Sequence, residues 1–90
     1  MSVLIVYFEL ALLATNHGAL LKAIKAYGTW ARLGPSCYLI FTHHSPLDVR
    51  EYLRQVLRAS DKLYVGTATA PSAWLGMPDD VSEWIRSKQQ

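Results

Sequence analysis

Glu9 is the first side chain in this sequence whose type and position suggest chemistry. It is a single carboxylate within the otherwise apolar segment VLIVYFELALLA, residues 3–14. A carboxylate buried without a partner is strongly destabilising, so Glu9 has to reach water, a cation or hydrogen-bond donors. We therefore expect Glu9 to lie at the rim of a sheet with its side chain at least partly exposed.

A second group of chemically active residues is basic. Arg50, Arg54 and Arg58 follow one another at intervals of four residues, which places them in one stripe along a predicted helix. Three guanidinium groups in line suit the phosphate backbone of a nucleic acid. Lys22 and Lys25, on an earlier predicted helix, extend this patch if both helices lie on the same side of a sheet. The alternative is an ordinary solvated helix face, because Asp48 and Glu51 offset part of the charge.

Other residue types do not form a recognisable site. His43 and His44 are adjacent, so their side chains point apart, and neither His17 nor Cys37 has the spacing of a further metal ligand. The sequence contains no Ser/His/Asp arrangement and no glycine-rich phosphate loop.

The three tryptophans have two interpretations. Trp30, Trp74 and Trp84 could stack on nucleic-acid bases, or they could fill a core or a subunit contact. The aromatic-rich sheet motifs of RNA-binding domains are missing, which favours packing or a subunit contact.

Size and composition limit the classes of protein that fit. Ninety residues predict one domain over residues 1–90, with a core at about 3–69 and a tail at 70–90. An apolar content of 51% in so short a chain predicts a homodimer, because a small monomer buries too little of its surface. The net charge of +2 does not by itself indicate nucleic-acid or membrane binding. One cysteine and no signal or membrane-spanning segment favour the cytoplasm.

The hydrophobic pattern predicts the elements that position these residues. Four apolar or alternating segments read as strands: Val3–Phe8, Thr29–Leu33, Ser36–Thr42 and Lys62–Thr69. One helix is predicted from Asn16, as its cap, to Gly28, and a short terminal helix or turn at Pro78–Ser87. The most distinct helix begins at Ser45 with Pro46 and Asp48 in its first turn, and it continues with Val49, Leu53, Val56 and Leu57 on one face.

The predicted order is strand, helix, strand, strand, helix, strand. Right-handed crossovers then place both helices on one face of a four-stranded antiparallel sheet, with the first and third strands in its centre. These two strands are also the most apolar. We therefore predict a ferredoxin-like α+β sandwich with a short C-terminal extension.

Three segments carry a resemblance to a known family. LIVYFEL, LLKAIKAYGTWARLGPSCYLIFT and LRQVLRASDKLYVGTATAPSAWLG resemble the small ferredoxin-like proteins labelled SinR-like, which are related to virulence-associated protein D and to the small CRISPR-associated subunit of the spacer-integration complex. The resemblance covers most of residues 3–76. It rests on strand ends, a Gly-x-Trp junction and a Ser-Asp-Lys-Leu turn.

The resemblance implies a role for Glu9. In the CRISPR-associated relatives an aspartate at the end of the first strand lies near a dimer axis, where two carboxylates can share Mg²⁺ and support phosphodiester cleavage. Glu9 occupies the matching position, but the usual Tyr-Asp-Leu is replaced by Phe8-Glu9-Leu10. A longer side chain at this position favours a degenerate nuclease centre.

Three functions therefore remain open. The first is a small dimeric nucleic-acid-associated protein that does not catalyse cleavage or retains only a degenerate centre. The second is a metal-dependent endonuclease acting on RNA or DNA through Glu9. The third is a module that binds a protein partner at an exposed sheet edge.

Overall fold

The computed structural model describes residues 1–89 as an α+β arrangement of four strands and three helices. The elements, in chain order, are β1 (Ser2–Glu9), α1 (His17–Lys25), β2 (Trp30–Gly34), β3 (Cys37–Thr42), α2 (Pro46–Arg54), β4 (Lys62–Thr67) and α3 (Asp79–Lys88).

The strands form one open antiparallel sheet in the order β2-β3-β1-β4. The central positions of β1 and β3 agree with the apolar character of these strands. A central strand has a neighbouring strand on each side, and its side chains are buried where the faces of the sheet are covered. Glu9 at the end of β1 is paired in register with Lys62 at the start of β4, and Tyr7 is paired with Tyr64. The last strand ends at Thr67, two residues earlier than its sequence pattern predicts.

The inner face of the sheet holds the larger core. Alternate β1 residues, Leu4, Val6 and Phe8, are fully buried there against the apolar sides of α1 and α2. Leu20 and Ile24 supply that side from α1 and have no exposed surface. Each such side chain stabilises the fold by about 1.5–3 kcal/mol through removal of its surface from water.

The outer face of the sheet is covered in part by α3. Val81 and Ile85 pack against Val3, Ala31 and Leu39 in a second, smaller core. The sequence predicts two helices on one face and a terminal helix or turn of unspecified position. The observed α3 is a ten-residue helix on the opposite face, so it shields apolar residues that a two-layer arrangement would leave exposed.

The start of α2 follows the predicted chemistry. Ser45 lies at the cap position in extended backbone, and its hydroxyl oxygen accepts a hydrogen bond from the backbone N–H of Asp48 at 3.1 Å. Pro46 occupies the first turn, where its missing N–H is not needed. The cap and the proline together fix where the helix begins.

The end of α2 differs from the prediction, and the difference moves Arg58 off the helix. The helix ends at Arg54, and the next amides donate to carbonyls only three residues back, Val56 N to Leu53 O at 3.0 Å and Leu57 N to Arg54 O at 3.1 Å. These tighter turns end the regular four-residue repeat. Arg58 therefore lies in the connection between α2 and β4.

Asn16 occupies the position before α1, but its side chain does not cap that helix. Its amide nitrogen instead donates to the carbonyl of Val56 at 2.8 Å and to the carboxylate of Asp61 at 3.0 Å. Long-range partners thus replace the predicted local cap.

Among the described residues, no helix combines the length and hydrophobicity that a membrane span requires.

Candidate nucleic-acid interface

The predicted arginines meet in one groove between α2 and β4. Although Arg58 has left the helix, it lines the same concavity as Arg50 and Arg54, which encloses about 400 Å³. The remaining lining residues come from the connection and from β4: Leu57, Ala59, Asp61 and Leu63. We call this concavity the arginine groove.

Glu51 reduces the positive charge of the arginine groove. Its carboxylate lies 3.1 Å from Nε of Arg50 and 3.1 Å from a terminal nitrogen of Arg54. Both arginine side chains remain largely exposed, at 57% and 74% of their surface. Exposed pairs of this kind are weak, contributing about 0.2–1 kcal/mol, so both guanidinium groups keep donors that a phosphate can use.

Arg58 is held in place by a residue outside the groove lining. Its guanidinium donates to the hydroxyl oxygen of Thr15 at 2.7 Å, which joins the loop after β1 to the loop after α2. The contact restricts the side chain before any ligand arrives, so less conformational entropy is lost on binding.

Asp61 organises the backbone around the groove. One carboxylate oxygen accepts a hydrogen bond from the N–H of Ala11 at 2.8 Å, and the other accepts from the N–H of Arg58 at 2.8 Å and the amide of Asn16 at 3.0 Å. These donors, with the charge of Arg58, lower the pKa of Asp61 below its ordinary value. Asp61 is therefore a structural carboxylate whose acceptor capacity is largely used.

Sequence reasoning did not identify Asp61. The residue appears in a Ser-Asp-Lys-Leu turn, and such a turn is an ordinary place for an aspartate that bonds its own backbone. The bonds to Ala11 and Asn16 span 50 and 45 residues, so no local pattern reveals them.

The two predicted lysines do not line the arginine groove. Nζ of Lys25 lies 4.6 Å from the centre of the Trp30 ring, in a cation–π contact at the β2 edge of the sheet. Leu63 of the groove belongs to β4, at the opposite edge. Lys22 is exposed one turn before Lys25. The structure thus keeps three arginines together and separates Lys25 from them.

Glu9 is exposed at the rim of the sheet, as its position in the sequence predicts. Half of its side-chain surface, 52%, is accessible, and one carboxylate oxygen lies 3.8 Å from Nζ of Lys62. The other oxygen accepts a hydrogen bond from the hydroxyl of Tyr7. This bond is the main reason that the pKa of Tyr7 is raised, because the phenol proton is held between two oxygens.

The surroundings of Glu9 within one chain do not fit Mg²⁺. This ion is bound through oxygen ligands, whereas the cross-strand neighbour of Glu9 is the ammonium group of Lys62. Across residues 1–89 no group of three or more His, Cys, Asp or Glu side chains is arranged to hold a metal ion.

Packing accounts for the positions of Trp74, Trp84 and Cys37, which the sequence offered as further candidate site residues. Indole nitrogens of Trp74 and Trp84 donate to hydroxyls of Ser82 at 2.9 Å and Thr29 at 2.8 Å, and both rings pack against the outer-face core. Burial raises the pKa of the Cys37 thiol, which makes it a poor nucleophile.

No protein-family model matches this chain, and no curated protein matches it in sequence.

Proposed function

We propose that this protein is a small dimeric nucleic-acid-associated protein that binds the phosphate backbone in the arginine groove without cleaving it. The observation that supports the proposal is the convergence of Arg50, Arg54 and Arg58 on one concavity, although they come from two different elements. Exposed guanidinium groups donate in a planar fork that matches phosphate oxygens.

The charges of the groove favour a ligand that carries several negative charges over one that carries a single carboxylate. Three guanidinium groups are opposed by Glu51 and by Asp61, and the latter is already satisfied by three N–H groups. A chain of phosphates brings several negative charges at once and releases counterions when it binds. Binding of this kind depends steeply on salt and weakly on base sequence.

The proposed family relationship is to the SinR-like and small CRISPR-associated ferredoxin-fold proteins, acting in the cytoplasm. The strand order β2-β3-β1-β4 and the position of Glu9 at the end of β1 support it. The free thiol of Cys37 supports a reducing compartment.

The test measures binding of fluorescein-labelled 20-nucleotide RNA, single-stranded DNA and duplex DNA. Fluorescence anisotropy reports the binding at several salt concentrations. Replacing Arg50, Arg54 and Arg58 together by Gln is expected to weaken binding and to lower the salt slope by about 0.7–0.9 for each phosphate group that the variant no longer binds. The matched control removes three positive charges elsewhere, at Arg32, Arg86 and Lys88, and is expected to retain most of the affinity and the slope.

Two further measurements separate this proposal from its alternatives. The double variant Arg50→Gln/Arg54→Gln keeps the Arg58–Thr15 contact, so weakened binding in it excludes an effect caused only by disturbance of the loop. The labelled RNA and DNA are expected to remain intact in Mg²⁺. Cleavage that disappears in Glu9→Ala would replace the binding role by a metal-dependent endonuclease. Equal affinity in all variants would place nucleic-acid binding outside the arginine groove, and no binding to any of the three probes would leave only the role of binding a protein partner.

A further inference from the structure

A larger cleft lies away from the arginine groove, between the end of α1 and the start of α2. It encloses about 600 Å³ and is lined by Ala26, Tyr27, His44, Asp48, Glu51 and Tyr52. Three aromatic rings and two carboxylates thus face one space. We call it the aromatic cleft.

Tyr27 is the central ring of the aromatic cleft. The ring of Tyr52 stands almost perpendicular to it, at 82° with the centres 5.7 Å apart, and the ring of His44 stands at 73° with the centres 5.9 Å apart. Burial, with smaller effects from Tyr52 and Asp48, raises the pKa of Tyr27. In such edge-to-face pairs the edge of one ring rests on a face of the other, but Tyr52 is 46% exposed, so part of its ring is open to a cation.

The two carboxylates that line the cleft both come from α2. Asp48 and Glu51 lie on the same side of α2 as Tyr52, at intervals of three and four residues. Glu51 is paired with Arg50 and Arg54, whereas Asp48 forms no salt bridge within residues 1–89. The negative C-terminal end of α1 at Ala26 is offset by Lys22 and Lys25 in its last turn and by the positive N-terminal end of α2, so the helix ends do not decide the charge of the cleft. What the cleft offers to a cation is the Asp48 carboxylate beside aromatic rings.

We propose that the aromatic cleft binds the guanidinium group of an arginine side chain presented by a partner protein. A guanidinium is planar, so it stacks on a tyrosine ring while its N–H groups donate to the Asp48 carboxylate. The cleft is shallow, since His44, Asp48 and Tyr52 are all exposed. A small molecule would remain largely in solvent there, whereas a side chain attached to a larger body gains from contacts outside the cleft.

This site does not rest on the proposed nucleic-acid binding, although the two surfaces meet at Glu51, which lines the cleft and pairs with Arg50 and Arg54. Phosphates are repelled by Asp48 and attracted to the arginine groove, which lies on another side of α2. Asp48 lines only the cleft and Arg58 lines only the groove, so substitutions of these two residues distinguish loss of one activity from loss of the other.

The probe is the blocked peptide acetyl-Gly-Gly-Arg-Gly-Gly-amide, compared with the same peptide carrying citrulline, which has the shape of arginine without its charge. Titrations are followed by the NMR signals of the full chain. We expect saturable shifts of the Tyr27, Tyr52 and His44 ring signals with the arginine peptide, and an affinity at least tenfold lower with citrulline. Equal affinities for the two peptides, or shifts confined to other surfaces, would overturn the proposal.

Variants test the two parts of the site separately. Asp48→Asn is expected to weaken binding of the arginine peptide about tenfold, the scale of one charge-assisted hydrogen bond. Tyr52→Leu keeps an apolar side chain but removes a ring face, and is expected to weaken binding severalfold. Glu83→Gln, an equal charge change on α3, serves as the control and is expected to change affinity less than twofold. An Asp48→Asn or Tyr52→Leu protein that stays folded by circular dichroism and binds as tightly as the wild type would also overturn the proposal.

Discussion

At the scale of single residues, two carboxylates close to the end of β1 have opposite roles. Glu9 is exposed and lies near the exposed ammonium group of Lys62, whereas Asp61 accepts from two backbone amides and one side-chain amide. Backbone donors are fixed by the fold, so they hold Asp61 more firmly than a lysine holds Glu9. We therefore expect substitution of Asp61 to disturb the fold and substitution of Glu9 to leave it intact.

The lowered pKa of Asp61 makes its contribution to stability dependent on pH. A carboxylate whose pKa is lower in the folded state stabilises the fold above its unfolded pKa of about 3.9, and that contribution disappears as the pH falls through the folded value. Asp61→Asn is thus expected to be less stable than the wild type between pH 5 and 7. The gap in free energy of unfolding should narrow below about pH 4. Urea unfolding of both proteins from pH 3 to 7 measures this difference in free energy of unfolding. A difference that does not vary with pH would contradict the lowered pKa of Asp61.

The exposed position of Glu9 predicts a small effect on stability. Glu9→Gln keeps the size of the side chain and removes only its charge, so the free energy of unfolding is expected to change by less than about 1 kcal/mol. Because the neighbouring group is Lys62, 5 mM Mg²⁺ is expected to raise the melting temperature of neither protein. A rise in the wild type that is absent from Glu9→Gln would show that the carboxylate binds the metal.

At the scale of secondary-structure elements, α3 determines how much of the sheet is covered. Its residues Val81 and Ile85 are buried on the outer face, and Trp84 is tied to Thr29 before β2. Without α3, the outer sides of Val3, Ala31 and Leu39 would be exposed to water. We infer that the helix unfolds together with the sheet rather than as an independent tail.

Truncation of Ile85 tests this inference. Ile85→Ala is expected to lower the free energy of unfolding by about 2–5 kcal/mol, through loss of buried surface and the cavity that remains. The control Glu83→Ala, on the exposed side of the same helix, should change it by less than about 0.5 kcal/mol. Unfolding is followed by circular dichroism, which reports α1, α2 and α3 together. If Ile85→Ala left the main transition unchanged and melted only a small part of the signal, α3 would be a separate unit.

The strands and the start of α2 were predictable because their causes are local. Continuous apolar residues in β1 and β3 predict central strands, and Ser45-Pro46 fixes a helix start through one turn of backbone. The position of α3 was not predictable, since Val81, Trp84 and Ile85 show that it has an apolar side but not which face of the sheet it meets. The arginine groove was only partly predictable. The spacing of the arginines indicates proximity, but the position of Arg58 outside α2 involves a contact with Thr15, 43 residues away, that no local pattern reveals.

At the scale of the whole molecule, α2 separates two surfaces of opposite character. Arg50 and Arg54 face the groove beside β4, while Asp48 and Tyr52 face the cleft beside the end of α1. The small net charge of +2 is therefore the sum of a basic surface at the arginine groove and an acidic surface at the aromatic cleft, together with the other charges of the chain. Total charge is a poor guide to binding in a chain whose charges are sorted by helix face.

A third surface combines apolar side chains with an open strand edge. Leu12 and Leu13, in the loop after β1, are 93% and 89% exposed, and Tyr64 on the edge strand β4 is 64% exposed. The Tyr64 ring lies over Gly66, where a Cβ atom would come within 3.0 Å of it. Tyr7, its partner in register on β1, is also exposed. Apolar groups beside an unpaired edge are a liability in a monomer, and a second copy of the chain is the simplest way to cover them.

This surface, and not the C-terminal tail at 70–90, is the expected location of the homodimer contact, because the tail already packs on its own sheet. The wild type is expected to sediment as a dimer of about twice 10.1 kDa at micromolar concentration. Tyr64→Lys places a charge on the edge and is expected to shift the protein toward monomer, since a lysine there would have to be desolvated on pairing. Leu47→Lys makes the same change at an exposed site on α2 and should leave the dimer intact. A wild type that sediments as a monomer would contradict dimerisation, whereas a Tyr64→Lys protein that remains dimeric would place the contact on another surface.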